Sequence, residues 1–164
     1  HPRVLQVVLD DEEAGSWVDP CDGAACDVAR VARIGCEAGW TLGLVDQTGE
    51  PVSPHAYDAI LLTYVLDRLE PVCVLPLLSA CREALSEEGR LVVVGFTAGR
   101  DRRSRRQVSR LLGERRYPAI HDSMLTHAGF TVVARQISCT GDLPSELVAG
   151  TDTAPLGKEL LRSA

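Results

Sequence analysis

The stretch YDAILLTYVLDRLEP (Tyr57–Pro71), followed closely by PLLSACREALSEEGRLVVVGF (Pro76–Phe96), decides the fold. Tyr57 to Val65 is an almost unbroken apolar run, the pattern of a strand buried on both faces. Pro76 to Leu85 reads as most of a helix, and the turn Ser86-Glu87-Glu88-Gly89 ends it. Arg90 to Phe96 is a second buried strand. A strand, a helix and a strand in this order predict two parallel neighbours joined by a crossover.

The same alternation extends in both directions. Arg3–Leu9 (RVLQVVL) reads as a strand ending in Asp10 and Asp11, and residues 12–23 as a loop or irregular helix. Ala24–Ala38 (AACDVARVARIGCEA) places apolar residues at helical spacing, with Gly39 as its stop. Thr41–Val45 is a strand ending at Asp46, and the polar loop QTGEPVSPH leads into Tyr57. Beyond Phe96 come a basic segment, a helix from Ala119 to Ala128 closed by Gly129, and a strand from Phe130 to Ile137. Glu146–Gly150 is expected to be a sixth strand, antiparallel to the fifth. The expectation is therefore an α/β domain, doubly wound around a mostly parallel sheet of six strands. One domain would span residues 1–150, with a tail at 151–164.

Composition narrows the classes. A chain of 164 residues can bury one ordinary core, and 45% hydrophobic residues suit a globular domain. With aromatics at only 4%, that core must be aliphatic. The net charge of −6 argues against generic nucleic-acid binding by the whole surface. No apolar run reaches the roughly 18 residues of a membrane span. Cys21, Cys26, Cys36, Cys73, Cys81 and Cys139 include no C-x-x-C pair, and no His stands at zinc-finger spacing. They read as buried free thiols in an intracellular, reducing compartment: the cytoplasm, or an organelle matrix after transit-peptide removal. The chain starts at His1 rather than Met, so a processed, trimmed or partial chain is expected.

From Thr41 to Gly150 the sequence resembles the class I S-adenosylmethionine-dependent methyltransferases. Val45-Asp46-Gln47 resembles the strand end that lies beside the adenine in that family. Tyr57-Asp58-Ala59-Ile60 resembles its aromatic-Asp strand opening, CREALSEEGRLVVVGF its helix, glycine turn and strand, and SMLTHAGFTVVARQ its late helix and Gly-Phe strand. The resemblance implies a Rossmann-like methyltransferase fold and S-adenosylmethionine as the cofactor, if any is bound. It implies Asp46 and Gln47 beside the adenine, and Thr63 and Tyr64 beside the reacting methyl. If Arg3–Leu9 matches the family's second strand, Asp10 or Asp11 would hold the ribose hydroxyls. The first third departs from the pattern. The family's first strand runs into a glycine-rich turn, where backbone must approach the cofactor without a Cβ in the way. Here DDEEAGSW (Asp10–Trp17) is bulky and acidic, and Asp19-Pro20-Cys21-Asp22-Gly23 lacks the repeated glycines.

Other side chains bear on chemistry. His55, His121 and His127 are candidate bases for a protonated acceptor, though neither His121 nor His127 has a recognisable partner in the sequence. No G-x-S-x-G, H-E-x-x-H or P-loop occurs. RVLQVVLDDEE also looks like the opening of a phospho-receiver domain, but Thr63 and Tyr64 stand where its phosphoacceptor Asp should be. The sharpest charge feature is GRDRRSRRQVSRLLGERRY (Gly99–Tyr117). It carries Arg100, Arg102, Arg103, Arg105, Arg106 and Arg110, then Arg115 and Arg116. Arginine pairs bidentately with phosphate and carboxylate, so this segment is the expected contact for a partner protein or RNA. The expectation from sequence is a methyltransferase-like domain, non-catalytic, serving as a scaffold or subunit of a larger assembly. The alternative is an active methyltransferase on a small molecule or RNA, with its cofactor loop upstream or in another chain.

Overall fold

A computed structural model describes residues 1–9, 26–36, 39–96, 106, 110, 122–138 and 145–152. The elements are β1 (Val4–Val8), β2 (Cys26–Cys36), β3 (Gly39–Val45), β4 (Tyr57–Thr63), α1 (Pro71–Ala84), β5 (Leu85–Phe96), α2 (Asp122–His127), β6 (Phe130–Ser138) and β7 (Ser145–Asp152). A 3₁₀ turn at Leu66–Arg68 links β4 to α1. The strands form one seven-stranded sheet in the order β3-β2-β1-β4-β5-β7-β6.

The middle of the sheet is parallel: β2 with β1, β1 with β4, and β4 with β5. β7 runs antiparallel to both β5 and β6. The final strand thus pairs back as the sequence predicted, and it continues through Asp152. Strand order reverses between β1 and β4. In a doubly wound sheet that switch point opens a crevice at the carboxyl ends of the strands.

One expectation is corrected. Ala24–Ala38 is not a helix: Cys26–Cys36 is β2, and the sheet therefore has seven strands rather than six. Val28, Val31 and Ile34 fall at a spacing of three, which imitates a helical stripe. Ladder pairing decides otherwise. β2 pairs along its first half with β1, from Val4↔Cys26 to Val8↔Arg30, and along its second half with β3, from Arg30↔Val45 to Cys36↔Gly39. β-branched residues suit such a half-buried strand.

The core lies on one face of the sheet. Leu5 and Val7 of β1, Ile60 and Leu62 of β4, and Leu91 and Val93 of β5 are in register and almost wholly buried. Leu77, Leu78 and Cys81 of α1 pack against them. The helix begins with Pro71, whose missing N–H costs nothing at a first helical position, and it ends where the Leu85 amide donates back to the Cys81 carbonyl. α1 reaches β3 as well, and Leu42 and Leu44 are buried in the same core. Leu125 of α2 and Ala128 just after it join the core, and Gly129 turns the chain into β6 with φ +87°, a conformation that suits a residue without a Cβ.

Candidate functional site

The chemistry-bearing groups gather where β4 and β5 end. Past Thr63, Tyr64 takes a left-handed backbone conformation, φ +54°, which is strained for an aromatic residue. Its N–H donates to the Val94 carbonyl at 2.7 Å, and its ring stacks on Phe96 with centroids 4.5 Å apart. The reversal at Tyr64 feeds the 3₁₀ turn, and the turn carries Asp67 back beneath the end of β5. Asp67 is only 7% exposed, and its Oδ2 accepts a hydrogen bond from the Phe96 N–H at 3.2 Å. Burial pushes the Asp67 carboxyl up to about 6, and the Phe96 hydrogen bond pulls weakly the other way. A carboxyl poised near neutrality can take or give a proton at physiological pH. Strained backbone, an aromatic pair and a buried carboxyl therefore converge at one rim.

Thr63 ends β4 and Tyr64 follows it, so both stand at the carboxyl end of that strand. Asp67 was missed. In the sequence it lies in Leu66-Asp67-Arg68, which reads as a solvated turn; the only hint is a carboxylate bracketed by Val65, Leu66 and Leu69.

Asp46 and Gln47 lie elsewhere. β3 is the outer strand, and Val45 is level with Arg30 and Val8, so Asp46 stands about 14 Å from β4 across three strand spacings. β3 also runs opposite to β1 and β4, so its carboxyl end points away from the rim. The Asp46 Oδ1 accepts from the Thr48 hydroxyl (2.6 Å), the Thr48 N–H (2.8 Å) and the Glu50 N–H (3.1 Å). Those bonds, the Thr48 hydroxyl foremost, hold the carboxyl below its ordinary value. Gln47 is exposed within this turn. Asp10 and Asp11 lie outside the described residues, as do Arg100, Arg102, Arg103 and Arg105. Arg106 and Arg110 are helical and exposed. His55 sits beside Leu85, its Nδ1 3.1 Å from the Leu85 carbonyl, at the amino end of β5 and far from the rim. The His127 Nδ1 is 2.6 Å from the Ser123 carbonyl one helical turn earlier, and His121 lies outside the described residues.

A second polar cluster closes the amino ends of the strands. The Arg3 guanidinium donates to Asp27 Oδ2 at 3.0 Å and lies 4.6 Å from the Tyr57 ring centroid. The Arg3 N–H donates to Asp58 Oδ2 at 2.8 Å, and the Ser86 hydroxyl donates to Asp58 Oδ1 at 3.3 Å. The Arg3 guanidinium, helped by Tyr57, holds the Asp27 carboxyl below its usual range. These contacts tie β1, β2, β4 and β5 together at the edge away from the crevice, so they are structural.

The cysteines divide. Cys73 and Cys81 are free, and full burial pushes the Cys81 thiol up to about 12. Cys26 is disulfide-bonded, which corrects the expectation of free thiols throughout. Among the described residues no group of His, Cys, Asp and Glu could hold a metal ion, and no helix is long and apolar enough to cross a membrane.

No protein-family model matches the sequence, and no curated protein matches it. Solved structures do match its fold. The S-adenosylmethionine-dependent methyltransferase SibL, in its apo form, is similar at a TM-score of 0.57 and 21% identity, over 92% of this chain and 50% of that one. The Burkholderia thailandensis 1,6-didemethyltoxoflavin-N1-methyltransferase, whose structure holds S-adenosylhomocysteine and 1,6-didemethyltoxoflavin, is similar at 0.54 and 15%, over 93% of this chain and 72% of that one. The methyltransferase CalO6 is similar at 0.51 and 18%, over 61% of this chain and 37% of that one. The chain thus spans half of SibL and little more than a third of CalO6. Its sheet order and these neighbours agree: the chain carries a class I S-adenosylmethionine-dependent methyltransferase-like fold.

Proposed function

We propose that this chain is a methyltransferase-like domain that does not transfer methyl groups by itself and serves as a scaffold or subunit within a larger assembly. The observation that carries this reading is the antiparallel β2–β3 hairpin. A nucleoside cofactor is held where parallel strands present their carboxyl ends to a common crevice. Here β3 faces the other way, and Asp46 Oδ1 is engaged by the Thr48 and Glu50 groups of its own turn. The bulky Asp10–Trp17 segment after β1 also lacks the repeated glycines that close backbone approach requires.

A second reading is favoured by the β4–β5 rim. The strained Tyr64 and the buried Asp67 keep the features of a reacting site. In that reading the chain supplies the acceptor side of a methyltransferase whose cofactor loop comes from another segment or chain. Bound S-adenosylmethionine would supply the methyl group, and Asp67 Oδ1 would take the proton of a small-molecule acceptor.

Calorimetric titration of the chain with S-adenosylhomocysteine separates the two. The scaffold reading expects no binding up to millimolar ligand. Micromolar binding would overturn it and direct mutation to Asp10, Asp11 and Asp46.

A further inference from the structure

The two edges of the sheet are protected differently. At one edge, β6 carries a register shift between Val132 and Ala134 and an exposed Arg135, devices that discourage strand addition. At the other edge, β3 reads GWTLGLV and contains no charge and no proline. Among the described residues, only its last ones are covered: Val52 N–H donates to the Leu44 carbonyl, Asp46 N–H donates to the Glu50 carbonyl, and Val45 bridges Pro51. Leu44 therefore faces outward. By the alternation of a strand, the peptide groups of Trp40 and Leu42 also face outward. No hydrogen bond to these outward groups is made among the described residues. Trp40 itself is 50% exposed, with the Arg33 guanidinium 4.7 Å from its ring centroid.

From this edge we infer that a second copy of the chain docks on β3, joining the two sheets through antiparallel β3–β3 pairing about a two-fold axis at Thr41. The free run is self-complementary. With Thr41 opposite Thr41, Trp40 of one copy faces Leu42 of the other. Each such pair exchanges two peptide hydrogen bonds, which satisfies all the outward groups of Trp40 and Leu42 on both strands. An aromatic side chain then lies opposite an aliphatic one on the same face, a favourable cross-strand pair. The uncharged run sets no like charges against each other, which matters for a chain of net charge −6. A two-fold contact of this kind closes on itself and leaves no further β3 edge free.

Sedimentation velocity over a concentration series tests this on the full chain, comparing wild type with Thr41→Lys and Trp40→Ala. Thr41 is exposed, so lysine is tolerated by the monomer, and circular dichroism checks the fold. The wild type is expected to shift from monomer to dimer with concentration. Thr41→Lys, which sets two like charges opposite each other on the axis, is expected to weaken the dimer about two- to fivefold. Trp40→Ala should weaken it as well. Hydrogen exchange supplies an independent readout: the Trp40 and Leu42 amides should become protected only where the dimer forms. A wild type that stays monomeric up to about millimolar concentration overturns the inference. So does a dimer that ignores both substitutions and leaves those two amides unprotected.

Discussion

Replacing Asp67 by Asn should stabilise the protein at neutral pH and leave it less stable than wild type in acid. The folded Asp67 keeps its proton up to about pH 6, whereas its ordinary value is 3.8. Between those values the folded chain binds more protons than the unfolded chain, so stability falls as pH rises. Below 3.8 the carboxyl is protonated in both states and no penalty applies; above 6 it is ionised in both, and the penalty is complete. At 1.36 kcal/mol per pKa unit, the penalty is about 2–3 kcal/mol. Asn keeps an oxygen to accept the Phe96 N–H, but it adds an amide NH₂ that needs its own partner, at about 1 kcal/mol. The net gain at pH 7.5 is therefore about 1–2 kcal/mol, and at pH 4 it becomes a loss of about 0.5 kcal/mol. Urea unfolding of both proteins at the two pH values measures the difference, and pH effects from every other group cancel in it. If the difference between the two proteins is the same at pH 4 and pH 7.5, Asp67 is not a buried, proton-holding carboxyl. The rim would then lose its most reactive feature.

Gly129→Ala should cost about 1–2 kcal/mol, because its φ of +87° disfavours any Cβ. The new Cβ would also meet the Arg82 guanidinium. Gly49→Ala is the control: it has the same φ but open space around it. Equal melting temperatures for the two variants would mean that the Arg82 contact has no weight. The Asp46 turn makes a further prediction. Its carboxyl is held below 3.8, so its stabilising bonds are fully present above that pH and are lost as pH falls through the depressed value. The Thr48 amide resonance should follow this titration, and a midpoint at or above 3.8 would contradict the bonding at Asp46 Oδ1.

Much of this architecture is local in origin and so can be read from the chain. Ala59–Leu62 and Leu91–Phe96 are apolar runs, and such runs have few ways to be buried other than at the centre of a parallel sheet. The glycine at 129 and the β-branched stretch after Phe130 mark a helix end and a strand without help from anything distant. The Thr63–Tyr64 rim follows directly, because a strand's carboxyl end is fixed once the strand is placed. Three features were settled only by tertiary structure. Cys26–Cys36 carries apolar residues at a spacing that fits a helix, and only pairing with β1 and β3 makes it a strand. Asp67 looks like a solvated turn acid until the 3₁₀ turn folds it beneath Phe96, where burial sets its proton affinity. Asp46 ends a strand as the sequence indicates, but the direction of that strand belongs to the hairpin, and direction determines which edge a strand end faces. Periodicity and turn residues are written in the chain. Strand direction, pairing partner and burial of a single charge arise from contacts between distant residues, and no local pattern encodes them.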